Sequence, residues 1–191
     1  MNGNLAYDYE AWEEKIGGKI IAMSPRPNSN HNFVSGSIYS LFSNYLKGKP
    51  CLPIVDGMDV FLTEDDTVVP DVMIVCDKDK IKRDGLHGVP DLVVEVISPT
   101  TVKRDRGYKK ELYEKCGVKE YWIVDPNNCI IEVYLLKDAR LELDDIYTLY
   151  PDYMLSRMSR EEKDGLVYEF SSCLFPDMKI SLEDIFENVM F

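Results

Sequence analysis

Apolar and polar positions along the chain change period several times, and each change marks an element. The longest helical pattern covers residues 31–46, where Phe33, Val34, Ile38, Leu41, Phe42 and Tyr45 recur at three- and four-residue spacing. Asn30 is suited to cap it. Ahead of it, residues 6–23 predict a short amphipathic helix, a turn at Gly17-Gly18 and a strand, KIIAM. Pro25 and Pro27 make the next residues a loop. Three strand-like runs follow: residues 52–62, interrupted at Asp56-Gly57; residues 68–76, apolar except for Asp71; and residues 92–97, apolar on both faces except for Glu95. A strand of the last kind sits centrally, covered on both sides. Residues 77–88, charged and containing Gly85 and Gly88, predict a surface loop.

Residues 100–116 predict a helix capped by Thr100 or Thr101 and stopped by Gly117. A strand over 120–124, a turn at Asp125-Pro126-Asn127-Asn128 and a return arm over 129–136 make a hairpin. The charged 137–164 segment contains an edge-strand candidate at 147–153, a late strand is expected at 166–170, and Phe175-Pro176-Asp177 reads as a turn before a closing helix over 182–189. Residues 92–124 therefore read in order as strand, helix, strand.

Two acids interrupt the apolar strands. An unpaired buried carboxylate costs several kcal/mol, so Glu95 and Asp71 each demand a basic partner, a set of hydrogen bonds or a cation. On neighbouring strands they could share one divalent cation through hard oxygen ligands; at strand ends they would pair with bases or reach water. On the helix after Glu95, Asp105, Lys109 and Tyr113 are spaced by four and lie along one face. Lys109 either makes an exposed pair with Asp105 or reaches back to Glu95, where it could orient a water or neutralise a phosphate. Lys110 points elsewhere by helical geometry. Asp91 shares the strand face of Glu95 and is either the first residue of the strand or a further positioning acid. Tyr113, Tyr121 and Trp122 read as core or rim, and Lys115 as solvated.

Composition narrows this picture. At 191 residues the chain is expected to be a single domain spanning 1–191. It has no run of the roughly 20 apolar residues that a membrane span needs. The N-terminus, MNGNLAYDYEAW, has neither a basic start nor an apolar segment, so no secretory signal is expected and the cytoplasm is the expected location. Five scattered cysteines, with no CxxC pair, predict buried free thiols and no zinc site. The net charge of −12 argues against general affinity for nucleic acid, but not against a site where a divalent cation supplies the positive charge.

The stretch GVPDLVVEVISPTTVKRDRGYKKELYEKCGVKEYWIVDP resembles the signature of the Uma-type family of putative restriction endonucleases, in the PD-(D/E)xK nuclease superfamily. The likeness extends to MSPRPNSNHN, VVPDVMIV and FPDMKISLEDIF. It implies an α/β (α+β) fold with a mixed sheet flanked by helices, a restriction-endonuclease-like core in the order helix, three strands, helix, strand, with extra N- and C-terminal elements. It implies that Asp71 and Glu95 bind Mg²⁺, with Mn²⁺ as a substitute, and that a lysine helps to activate the attacking water. In the superfamily that lysine stands two residues after the glutamate, where this chain has Ile97; the matching residue here is Lys109, on the next helix. His31 matches a histidine that opens the family's first long helix, and it either approaches the site or simply lies near that helix start. Asp105 would orient Lys109 or close the site. The expected activity is hydrolysis of phosphodiester bonds in nucleic acid, DNA in the first instance, and a homodimer is within the range of the superfamily. Two other readings stand beside it: a nuclease fold that binds nucleic acid or a protein without cutting, and an interaction module in which Asp71 and Glu95 pair with Arg104 or Arg106.

Overall fold

The computed structural model describes residues 13–22 and 28–190. Strands β1 (Glu13–Ile16) and β2 (Lys19–Ala22) form a hairpin. Helix α1 (Ser29–Leu46) leads to β3 (Leu52–Val55), β4 (Val60–Phe61), β5 (Thr67–Val68) and β6 (Val72–Val75). The short pair β7 (Ile81–Lys82) and β8 (Gly85–His87) precedes β9 (Leu92–Val96). A continuous helical stretch then runs through α2 (Val102–Arg104), a π-helical turn (Asp105–Lys109) and α3 (Lys110–Cys116) before β10 (Glu120–Asp125). Strands β11 (Ile130–Lys137) and β12 (Arg140–Thr148), short helices α4 (Asp152–Leu155) and α5 (Arg160–Asp164), the hairpin β13 (Glu169–Ser172) with β14 (Phe175–Ser181), and α6 (Leu182–Phe186) complete the chain.

The central sheet has the order β12-β11-β10-β9-β6-β3. Only β9 and β10 run parallel, which is why a helix must connect them. Alternation splits this sheet into two faces. Val72, Ile74, Leu92, Val94, Val96, Trp122 and Val124 pack against Val34, Ile38, Phe42 and Leu46 of α1 and against the β14–α6 region. Met73, Val75, Val93, Tyr121 and Ile123 point the other way, under Leu112 and Tyr113 of α3 and under a second sheet ordered β2-β1-β5-β4-β8-β7. Glu95, an odd-numbered residue of β9, belongs to this second face. Buried Glu120 ties the C-terminal hairpin down by accepting from Trp122 Nε1 (2.8 Å), Ser172 Oγ (2.6 Å) and Cys173 N (3.0 Å). Among the described residues no helix is long and apolar enough to cross a membrane.

The expected order α1, three strands, helix, strand is present as α1-β3-β6-β9-α2/α3-β10. Several local expectations are corrected. Glu13–Ile16 is a strand, not the end of a helix, because Gly17 and Gly18 take φ of +56° and +75° and fold EEKI back onto KIIA; the earlier part of that expected helix, Met23 and the loop to Pro27 lie outside the described residues. Asn28 caps α1 by accepting from His31 N (2.9 Å), while Asn30 is buried and exchanges two hydrogen bonds with the Met190 backbone (2.8 and 3.0 Å). The runs 52–62 and 68–76 each break into two strands. The expected 77–88 loop contains the β7–β8 pair. The edge strand is β12, earlier and longer than the 147–153 candidate, and it sets Leu141 inward with Glu142, Asp144 and Asp145 outward. Phe175-Pro176-Asp177 opens β14, tolerated because a strand in a two-stranded sheet has a side that needs no N–H donor.

The cysteine expectation also fails in part. Leu52 pairs with Val75 in the β3–β6 ladder, so Cys51 and Cys76 fall opposite one another and form a disulfide across 25 residues of chain. Cys116, Cys129 and Cys173 are free, and of these only Cys129 is buried.

Candidate active site

Antiparallel pairing of β6 with β9 matches Val72 to Val94 and Met73 to Val93. Continued by one residue, that register sets Asp71 opposite Glu95, with Cβ atoms on one face about 5 Å apart. Asp71 Oδ2 accepts the Val96 N–H (2.7 Å) and Oδ1 lies 3.1 Å from His31 Nε2. His31, on the first turn of α1, is thereby brought to the site. Burial alone would lower its pKa, but its hydrogen bond to Asp71 and the charges of Asp71 and Asp56 overrule that and raise it.

Glu95 is 3% exposed. Its Oε1 accepts from Lys109 Nζ (2.9 Å) and from the Tyr113 hydroxyl (2.7 Å). The four-residue spacing of Lys109 and Tyr113 therefore does bring both onto one acid. Burial pushes the Glu95 carboxyl up, to about 8; the Lys109 ammonium opposes this, while the charges of Asp105, Asp71 and Glu14 reinforce it. Tyr113 is raised well above the ordinary phenol, by burial and then by Glu95. Lys109 itself is 1% exposed. Burial would favour its neutral form, but Glu95, Glu14 and Asp105 hold it firmly as the ammonium. Lys110 does point elsewhere, over the Tyr134 ring at 4.8 Å. The backbone that presents Lys109 is the π-helical turn, a geometry that is rare and common at functional sites.

The residue missed in the sequence is Glu14. It is fully buried on β1, with Oε1 2.8 Å from Lys109 Nζ and 3.2 Å from the Val69 N–H, and Oε2 3.1 Å from Arg104 Nη1. Its signal was available: if EEKI is read as a strand, Glu14 shares the inward side with Ile16. Arg104 also faces Asp105, at 3.6 Å from Nε to Oδ1. Asp105 is buried, and burial raises its carboxyl against the lowering influence of Lys109, a Thr101 hydrogen bond and Arg104. Its backbone carbonyl accepts from the Tyr121 hydroxyl (3.0 Å). The chain has thus gathered four carboxylates, of Glu14, Asp71, Glu95 and Asp105, around two fixed cations, Lys109 and Arg104.

Asp91 is not part of this group. It stands at the other end of β9, where Oδ2 accepts the Cys76 N–H (2.8 Å) and Oδ1 meets Lys119 Nζ (2.7 Å). The pairings expected of an interaction module are also absent among the described residues: Arg104 takes Glu14 and Asp105, and Arg106 takes Glu132. Tyr113, Tyr121 and Trp122 are all core. A polar cleft of about 180 Å³ opens beyond the C-terminal ends of β9 and β10, lined by Ser98, Arg106, Asp125 and Asn127 among others.

No group of three or more His, Cys, Asp or Glu side chains among the described residues is arranged to hold a metal ion alone. Two facing carboxylates nevertheless fit Mg²⁺, which takes one or two acids and completes its octahedron with water and substrate phosphate. The Glu95 carboxyl, raised first by burial and further by the neighbouring carboxylates, is what a divalent cation would relieve.

Residues 6–164 match the Uma2 family, described as putative restriction endonuclease. The chain belongs to this family. The Uma2 match includes Glu14, His31, Asp71, Glu95 and Lys109 and ends before the β13–α6 region. An uncharacterized protein of Synechocystis sp. is 31% identical over 140 residues, which are 69% of this chain and 73% of that protein. The fold matches the crystal structure of a putative nuclease belonging to DUF820 from Anabaena variabilis, with a TM-score of 0.71 and 19% identity, over 95% of this chain and 93% of that one. The chain thus has the Uma2 assignment and a nuclease-like fold together.

Proposed function

We propose that this Uma2 protein is a metal-dependent endonuclease that hydrolyses phosphodiester bonds, with DNA as substrate and Mg²⁺, or Mn²⁺ in its place, as cofactor. The observation that carries the reading is the β6–β9 register, which continued by one residue sets Asp71 opposite Glu95, together with the Lys109 ammonium on Glu95 Oε1. Bound there, the cation would polarise a phosphate oxygen and acidify a water. Asp71 and Glu95 would hold it, and His31 and the Val96 N–H fix the orientation of Asp71. Lys109 acts as a fixed charge that stabilises negative charge developing on the phosphate, not as a base, since its carboxylate neighbours keep it protonated.

The test is cleavage of labelled duplex DNA, single-stranded DNA and RNA with Mg²⁺ or Mn²⁺, by wild type, Asp71→Asn and Glu95→Gln. The reading expects metal-dependent cleavage by wild type and a loss beyond a thousandfold in both variants, as for removal of a group acting in the transition state. Variants that cut like wild type would remove Asp71 and Glu95 from the assignment. The net charge of −12 and the near-complete enclosure of Lys109 favour a second reading, a nuclease fold that binds nucleic acid or a protein without cutting. Binding of metal with no cleavage of any substrate would select it.

A further inference from the structure

We infer that Glu14 is a positioning residue of the hydrolytic centre, fixing the Lys109 ammonium in place against Glu95. This rests on the endonuclease reading and adds to it a residue from outside the central sheet. A lysine ammonium has three N–H donors on a flexible stem. In this structure Glu95 Oε1 takes one at 2.9 Å, and Glu14 Oε1 faces the same nitrogen as an ion pair at 2.8 Å. Carboxylate oxygens within 3 Å from two different elements thus fix where the nitrogen sits. Glu95 alone would leave the ammonium free to swing about that single contact.

Glu14 can serve this purpose because it is itself held. Its Oε1 also accepts the Val69 N–H at 3.2 Å and its Oε2 lies 3.1 Å from Arg104 Nη1. Its strand is paired on one side with β2 and on the other with β5, at Lys15 and Thr67. The hairpin is clamped to the helical turn that carries Lys109: Asp66 Oδ1 accepts both the Gly17 N–H (2.8 Å) and the Tyr108 hydroxyl (2.7 Å). Tyr108 directly precedes Lys109, so the acid and the lysine are registered against each other by a contact outside the site.

Three variants of the full chain test this: Glu14→Gln, Glu14→Asp and Glu95→Gln, assayed with Mn²⁺ on the substrate that wild type cleaves. In Glu14→Gln we expect kcat to fall about a hundredfold at unchanged KM, the scale of a misplaced catalytic group. Glu14→Asp, which keeps the charge on a shorter stem, should recover to within about tenfold of wild type at the same KM. A Glu14→Gln protein that cleaves with wild-type kcat overturns the inference, and so does one in which KM rises while kcat stands. If Glu14→Gln fails to fold, as read by its melting transition, Glu14→Asp decides alone: a lowered kcat at unchanged KM supports positioning and a wild-type kcat refutes it. An inactive wild type, or an active Glu95→Gln, overturns the endonuclease reading and this inference with it, and is distinguished from failure at Glu14 by which protein shows the result.

Discussion

The buried charge of Glu95 makes the stability of the metal-free protein fall as pH rises through neutrality. The carboxyl ordinarily titrates near 4.5 and is pushed to about 8 in the folded chain by burial, against the pull of Lys109. A group whose pKa is raised by folding holds its proton more tightly in the native state. Its contribution is fully present below 4.5 and is lost as the pH passes through 8. Between those limits the unfolded chain has released one proton that the folded chain keeps, a slope of about 1.4 kcal/mol per pH unit. From about pH 5.5 to 7.5 this amounts to a loss of at most about 2.7 kcal/mol. Lys109 is charged in both states over this range and adds no slope. Glu95→Gln removes the titrating group while keeping an oxygen for Lys109 and Tyr113. Urea denaturation in the presence of EDTA at the two pH values measures the difference. Wild type should lose about 1–3 kcal/mol more than Glu95→Gln between them. Equal losses in the two proteins would refute the argument that Glu95 is neutralised by its burial.

Lys109→Met should destabilise the protein by about 3–5 kcal/mol, because it removes the cation beside the fully buried Glu14 carboxylate and takes a hydrogen-bond donor from buried Glu95; a shift in the denaturation midpoint worth less than about 1 kcal/mol would contradict this. The double variant Cys51→Ala/Cys76→Ala should lose about 3.5 kcal/mol, the loop entropy of a cross-link over 25 residues. The same loss should appear when wild type is reduced with a thiol, and an unchanged midpoint in both would show that the cross-link contributes nothing.

The fold was legible where burial and period agree. Residues 92–97 are apolar on both faces because β9 is covered by α1 on one side and α3 on the other, and Gly117 stops the helix with φ of +86°, as its type requires. What escaped depended on contacts between distant residues. Nothing local marks Cys51 as the partner of Cys76, because only the β3–β6 register brings them together. Asn30 looked like a cap and is instead buried against Met190, 160 residues away. Asp91 shares a strand face with Glu95, yet four residues of extended chain separate the two by about 13 Å, and Asp91 turns to Cys76 and Lys119 at the far end. Glu14 was hidden for another reason: two adjacent glycines after EEKI suit the end of a helix as well as the turn of a hairpin, and only pairing with β2 and β5 decides between them.

Glu14 bears on why the lysine stands where it does. Residue 97, where the superfamily pattern would place a lysine, is Ile97, buried beneath the helix in the apolar face that also holds Val93, Leu112 and Tyr121. A lysine on the strand would have approached Glu95 from the sheet; Lys109 reaches it from the helix above, and in doing so it is fully enclosed. Enclosing an ammonium costs several kcal/mol, which a single carboxylate partner that is itself desolvated does not offset. A second acid on the opposite side offsets the remainder, and Glu14 occupies that side, held there by Arg104 and the Val69 N–H. A lysine on the helix and an acid on the N-terminal hairpin are therefore one solution to a single electrostatic problem. The hairpin is accordingly part of the site's construction, even though it lies outside the helix-three strands-helix-strand order by which the core is recognised.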